Sequence, residues 1–113
     1  MAKADRLERL DTRRTELEGE YREALIAALE KSAAGSWGLF AHTKDKAAQA
    51  KWAPTVEALC DMGEEIAAMR QTLGLEAFAL HTEFEAARGP VPSTAPGEPK
   101  QAAAWLKRLE QPA

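Results

Sequence analysis

From Lys3 to Ala34 the apolar residues recur at alternating three- and four-residue steps. Leu7, Leu10, Leu17, Tyr21, Ala24 and Ala28 fall on one seam, with Arg14 at the seam position that is not apolar. That spacing keeps one side of an α-helix apolar, and Leu25, Ile26 and Leu29 widen the stripe towards its end. The other faces carry Arg6, Glu8, Arg9, Arg13, Glu16, Glu18, Arg22 and Glu23, mixed charges that suit a solvated surface. A lone charge on the seam is costly to bury, so Arg14 is expected to pair with Asp11 or Glu18, to sit at an open edge, or to set register or oligomeric state.

Gly35 and Gly38 end this pattern, because two glycines three apart admit backbone conformations that other residues resist. A second helical stretch opens near Thr43 to Asp45 and runs to Leu73, with Leu59, Met62, Ile66, Met69 and Leu73 on its apolar side and Gly74 where a C-terminal glycine cap belongs. Pro54 makes Lys44 to Trp52 either a separate short helix or a kinked extension of the second, with Pro54 as a first-turn residue the preferred reading. Antiparallel packing of the two long helices places Leu7 level with Leu73, Leu17 with Gly63 and Tyr21 with Leu59, and Gly63 then leaves room beside Tyr21 or Leu17.

Residues 75–88 predict a third helix with Ala77, Phe78, Leu80, His81 and Phe84 towards its buried side. The alternation of Phe78, Leu80, Thr82 and Phe84 also suits a strand, but the surrounding Ala and Glu and the lack of a second strand favour helix. The Pro- and Gly-rich run 89–99 reads as an extended linker, and 100–113 as a short tail helix with Trp105, Leu106 and Leu109 on one side. The expected fold is all-α: a coiled-coil-like antiparallel helical hairpin with a third helix (1–88), then the linker (89–99) and the amphipathic tail helix (100–113).

The 113 residues suit one domain, and alanine-rich helices form readily while supplying little core per residue. A net charge of -3 with both signs interspersed lacks the basic excess by which proteins hold phosphate backbones, so no nucleic-acid partner is expected. A single cysteine, Cys60, and an opening segment with no apolar run point to a cytoplasmic protein, and charged residues interrupt every stretch long enough to cross a bilayer.

Catalytic constellations are thin. His42 and His81 lie in different segments, no HExxH or cysteine pair occurs, and no glycine-rich phosphate loop or nucleophile elbow is present, so neither a catalytic residue, a metal site nor a cofactor is predicted. The acids Glu16, Glu20, Glu23, Asp61, Glu64 and Glu65 invite comparison with helical magnesium-dependent pyrophosphohydrolases. The seam, however, turns Glu16, Glu23, Asp61 and Glu64 away from the hairpin interface, and that family's motif order is not reproduced.

What remains are surfaces. Trp37, Leu39 and Phe40 bring large apolar side chains into a loop, either as a plug for the hairpin end or as an anchor for a protein partner. Trp105, Leu106 and Leu109 either cover the hairpin's apolar stripe or form a recognition segment. The expected function is that of a small interaction or structural module, self-associating as a homodimer through helix packing. The competing expectation is a small-ligand binder or enzyme whose pocket, between the 35–46 loop and the hairpin end, is lined by Trp37, His42, Trp52 and His81.

Overall fold

The computed structural model describes residues 2–40, 45–88 and 97–110, and every regular element among them is helical. Four helices follow in order: α1 (Ala2–Ala33), α2 (Lys46–Thr72), α3 (Ala79–Ala87) and α4 (Glu98–Glu110). The fold is therefore the expected all-α hairpin with a third and a fourth helix. His42 and the greater part of the linker, positions 89–96, lie outside the described residues.

Contacts at both ends fix the directions. Leu7 and Leu10, early in α1, share a groove with Thr72 at the end of α2, while Gly38, just past α1, lies against Ala48 and Trp52 near the start of α2. The two long helices are antiparallel. In α3 the N-cap Phe78 sits under the Arg70 guanidinium, and Arg88 at the other end donates to the Leu39 carbonyl at 3.1 Å, so α3 runs alongside α1 in the same sense. Glu98 at the start of α4 meets the 38–40 loop, and the Leu109 carbonyl accepts from Arg22 at 2.6 Å, so α4 runs back down α1. The result is an up-down-up-down bundle in which α1 packs most extensively against α4 and α2.

Two local boundaries differ from expectation. Helix α2 continues through Pro54, so 46–53 is its first part rather than a separate helix. Its start is set by Asp45, whose carboxylate accepts the Ala47 N–H at 2.9 Å and satisfies one of the unpaired donors of the first turn. The helical donor that Pro54 removes is the one owed to the carbonyl of Ala50; both residues are exposed, so water can replace it. Helix α3 is also shorter than the 75–88 stretch. Gly74, at φ +72°, closes α2 with the Leu75 N–H on the Arg70 carbonyl (2.8 Å) and the Gly74 N–H on that of Gln71 (3.1 Å), and the chain runs without regular structure to Phe78.

The core occupies the half of the hairpin that α3 and α4 enclose. Tyr21, Leu25, Leu29, Leu39, Phe40, Leu59, Ile66 and Phe84 are at most 1% exposed there. Towards the open end, the groove beside α1 is lined, among the described residues, by α1 itself and Thr72 of α2. Residues 4–9 of α1 are all exposed, and Leu7 and Leu75 remain 38% and 44% accessible.

Candidate interaction surface

The aromatic loop is mostly plug. Leu39 and Phe40 are buried, with Phe40 stacked on Trp105 at 6.2 Å and tilted against Phe84, so neither is accessible as a partner anchor. Trp37 is 40% exposed, its ring edge closely approaching Gly97 at the head of α4. Of the tail residues, Trp105 is buried and Leu106 and Leu109 are half-buried against the core, so α4 covers the hairpin of its own chain.

A buried carboxylate ties this end together. Glu98, fully buried, accepts the backbone N–H groups of Gly38 and Phe40, each at 2.6 Å. Gly38 is held at φ +122°, and a Cβ there would meet the Ala48 carbonyl oxygen at 2.5 Å, so glycine is required both by conformation and by the close passage of α2. A charge taken out of water needs such donors, and the two amides supply them. No sequence pattern marks this pairing, because Glu98 sits in the stretch read as linker and its donors are backbone groups about 60 residues away.

Of the four residues proposed to line a pocket, His42 lies outside the described residues, and His81 stands apart from Trp52. Trp52 packs beside Gly38, Trp37 beside Gly97, and His81 beside Gly63, which is eleven residues, or about 16 Å of helix, from Trp52 along α2. Among the described residues, a recess near the loop is lined by Gly38, Phe40, Gln49, Ala53, Val56, Glu57 and Arg88.

His81 instead joins a chain of three polar side chains. Tyr21, completely buried, places its hydroxyl 2.7 Å from His81 Nδ1, and His81 Nε2 lies 3.0 Å from Glu85 Oε1. Burial, with the nearby Cys60 and Glu85, raises the Tyr21 pKa well above the ordinary phenol value, so the hydroxyl is neutral. The hydroxyl and Nδ1 share one hydrogen bond, and the other ring nitrogen, Nε2, faces Glu85. The order Glu, His, hydroxyl is that of a nucleophile relay, but a hydroxyl with no exposed surface cannot meet a substrate. It fastens α1 to α3. Gly63 makes this possible: a Cβ at that position would lie 2.4 Å from the His81 ring. The space foreseen beside Tyr21 is thus filled by a side chain from α3. The Cys60 thiol is pushed up by burial, against the weaker pull of Arg88, and is not an activated nucleophile. Among the described residues no group of three or more His, Cys, Asp or Glu is arranged to hold a metal ion.

Polar pairing also occupies the hairpin's seam. Arg14 meets Asp11 at 2.7 Å and Glu18 at 2.9 Å, and Glu18 in turn binds Arg70 at 2.6 Å, with the Arg14, Glu18 and Arg70 side chains only 15 to 20% exposed. Burial pushes the Glu18 carboxyl up, but Arg70 and Arg14 together bring it below the usual range. The seam arginine is therefore satisfied within the chain, through both of the acids expected of it.

Beyond this network the open half of the hairpin carries a groove lined by Arg6, Leu7, Arg9, Leu10, Arg13 and Thr72. Arg13 spans to Glu65 of α2 at 2.8 Å and keeps 64% of its side chain exposed. No helix among the described residues is long and apolar enough to cross a membrane. No protein-family model matches the chain, and neither a curated protein nor a solved structure matches it.

Proposed function

We propose that the protein is a small helical interaction module that self-associates through the open half of its hairpin. One observation carries this reading: the apolar seam of α1 continues past the point where the chain's own helices cover it. Leu7 is exposed and Leu10 only half-buried, at the edge of a groove that α3 and α4 do not reach. Apolar side chains rimmed by charge at the end of an established helix interface are suited to a further helix. The occupant is a second copy of this chain, because the same flank carries both signs of charge. Arg6, Arg9 and Arg13 lie towards the open end, and Glu16, Glu20, Asp61 and Glu65 further along, all exposed.

The enclosed half gives no such support, since α3 and α4 of the same chain already cover its apolar stripe. Sedimentation equilibrium from about 1 µM to about 200 µM tests the reading, a range that brackets the affinities of small transient interfaces. A dimer within that range is expected. A single monomeric species at every concentration overturns it.

A further inference from the structure

The outward face of α1 carries a charge order that matches itself when reversed. Arg6, Arg9, Arg13, Glu16, Glu20 and Glu23 follow one another at steps of three, four, three, four and three, which places them on one stripe of the helix, and all six are exposed. The stripe spans about 26 Å, with its cations in one half and its anions in the other.

Along a single helix this order is unfavourable. Neighbours three or four residues apart interact, and here Arg6 with Arg9, Arg9 with Arg13, Glu16 with Glu20 and Glu20 with Glu23 are all like-charged; only Arg13 and Glu16 attract. The spacing, however, reads the same from either end. A two-fold axis between Arg13 and Glu16 brings every cation of one copy to the level of an anion of the other.

We infer that two copies of the chain pair through this stripe with their α1 helices antiparallel, Arg6 meeting Glu23, Arg9 meeting Glu20 and Arg13 meeting Glu16 of the partner subunit. The inference rests on the self-association proposed above and specifies its surface, direction and register. An isologous interface uses each contact twice, so the three pairs become six. Arg6, Arg9 and Arg13 also rim the groove of the open half, which makes stripe and groove one continuous surface. The in-chain bridge from Arg13 to Glu65 does not compete. A guanidinium has donors for two carboxylates, and Glu65 adds negative charge beside the pairing site. In a parallel pairing at the same level, arginine meets arginine and glutamate meets glutamate, so charge alone selects the antiparallel arrangement.

The test uses the whole chain in two charge-reversed forms, Arg6→Glu/Arg9→Glu/Arg13→Glu and Glu16→Arg/Glu20→Arg/Glu23→Arg. Each is expected to associate at least about tenfold more weakly than the unchanged protein, because every cross-copy pair becomes repulsive. An equimolar mixture is expected to recover the dimer, and so is the sixfold variant carrying both sets, in which the order is inverted but still matches itself. Recovery on mixing also shows that the single forms are folded, supported by unchanged helical circular dichroism. Raising salt from about 0.05 M to about 0.5 M is expected to dissociate the dimer, since exposed ion pairs are screened over that range. If the unchanged chain dimerises but the reversed forms dimerise equally well, or the dimer tightens with salt, the stripe is overturned while self-association stands. If the unchanged chain is monomeric throughout, both fall.

Discussion

Replacing Gly63 by alanine puts a methyl group where the His81 ring lies, 2.4 Å from Cδ2 and Nε2. At that distance something has to move. His81 is 8% exposed and its ring is hydrogen-bonded to the Tyr21 hydroxyl, so α3 must shift or His81 must leave its rotamer. Overpacking of this kind costs about 1 to 3 kcal/mol. If the imidazole withdraws, the buried Tyr21 hydroxyl loses its hydrogen-bond partner, at about 1 to 3 kcal/mol more. Against this stands a gain of about 1 kcal/mol, because alanine is the better helix former.

The net loss is therefore about 1 kcal/mol with the ring in place and about 3 kcal/mol once it withdraws, which lowers the urea midpoint by roughly 0.5 to 2 M for a slope usual in a chain of this size. Gly19→Ala is the internal control. Gly19 lies in α1, is exposed, and a Cβ there has nothing within 4 Å, so the same exchange should stabilise by about 0.5 to 1 kcal/mol. Equilibrium urea unfolding of both variants, followed by helical circular dichroism, compares the signs. Gly63→Ala as stable as the parent, or shifted upward like Gly19→Ala, would falsify the placement of His81 against α2. Combining Gly63→Ala with His81→Ala should recover part of the loss, because the added methyl then enters vacated space.

Three further expectations follow from buried groups. Phe40→Ala should cost about 3 to 5 kcal/mol, since the ring is 1% exposed, whereas Trp37→Ala should cost far less; equal melting temperatures for the two would mean that Phe40 is not core. Glu98→Gln turns one acceptor into a donor facing a backbone N–H and should cost about 1 to 3 kcal/mol by denaturant unfolding, a null result excluding the paired hydrogen bonds from Gly38 and Phe40. Two groups set the pH response in opposite directions. Glu18 has a lowered folded pKa, so its contribution is present above the unfolded carboxyl value and is lost as pH falls through the folded one; Arg70→Met should flatten that acid limb of a stability-pH curve. Tyr21 has a raised folded pKa, so its contribution is present below pH 10 and is lost as pH rises beyond it; Tyr21→Phe should reduce the alkaline loss, to which the raised Cys60 thiol also contributes, and an unchanged profile would count against the buried phenol.

The local rules of the chain were legible because they need only neighbours in sequence. The three-and-four spacing of Leu7, Leu10, Leu17 and Tyr21 marks one helix, and that of Leu59, Ile66 and Met69 another. Gly74 supplies the left-handed residue that closes α2, and the Gly35 to Gly38 turn separates two helices too apolar on one side to stay apart. The partners of Arg14 were legible for the same reason, since Asp11 and Glu18 stand one turn away on its own helix.

Tertiary structure decided what depends on which surfaces meet. Whether Leu39 and Phe40 faced a partner or the core turned on α4 folding back over α1, a choice made by contacts more than 55 residues apart, such as those of Glu98 with Gly38 and Phe40. His81 reached Tyr21 rather than a pocket because Gly63, itself unremarkable within its helix, leaves a hollow only when α3 lies over it. Pro54 interrupts one hydrogen bond but not the helix, because exposure lets water replace the missing donor. A periodic pattern specifies which side of a helix is apolar; which neighbour covers that side, and how far along, is settled by packing between segments distant in the chain.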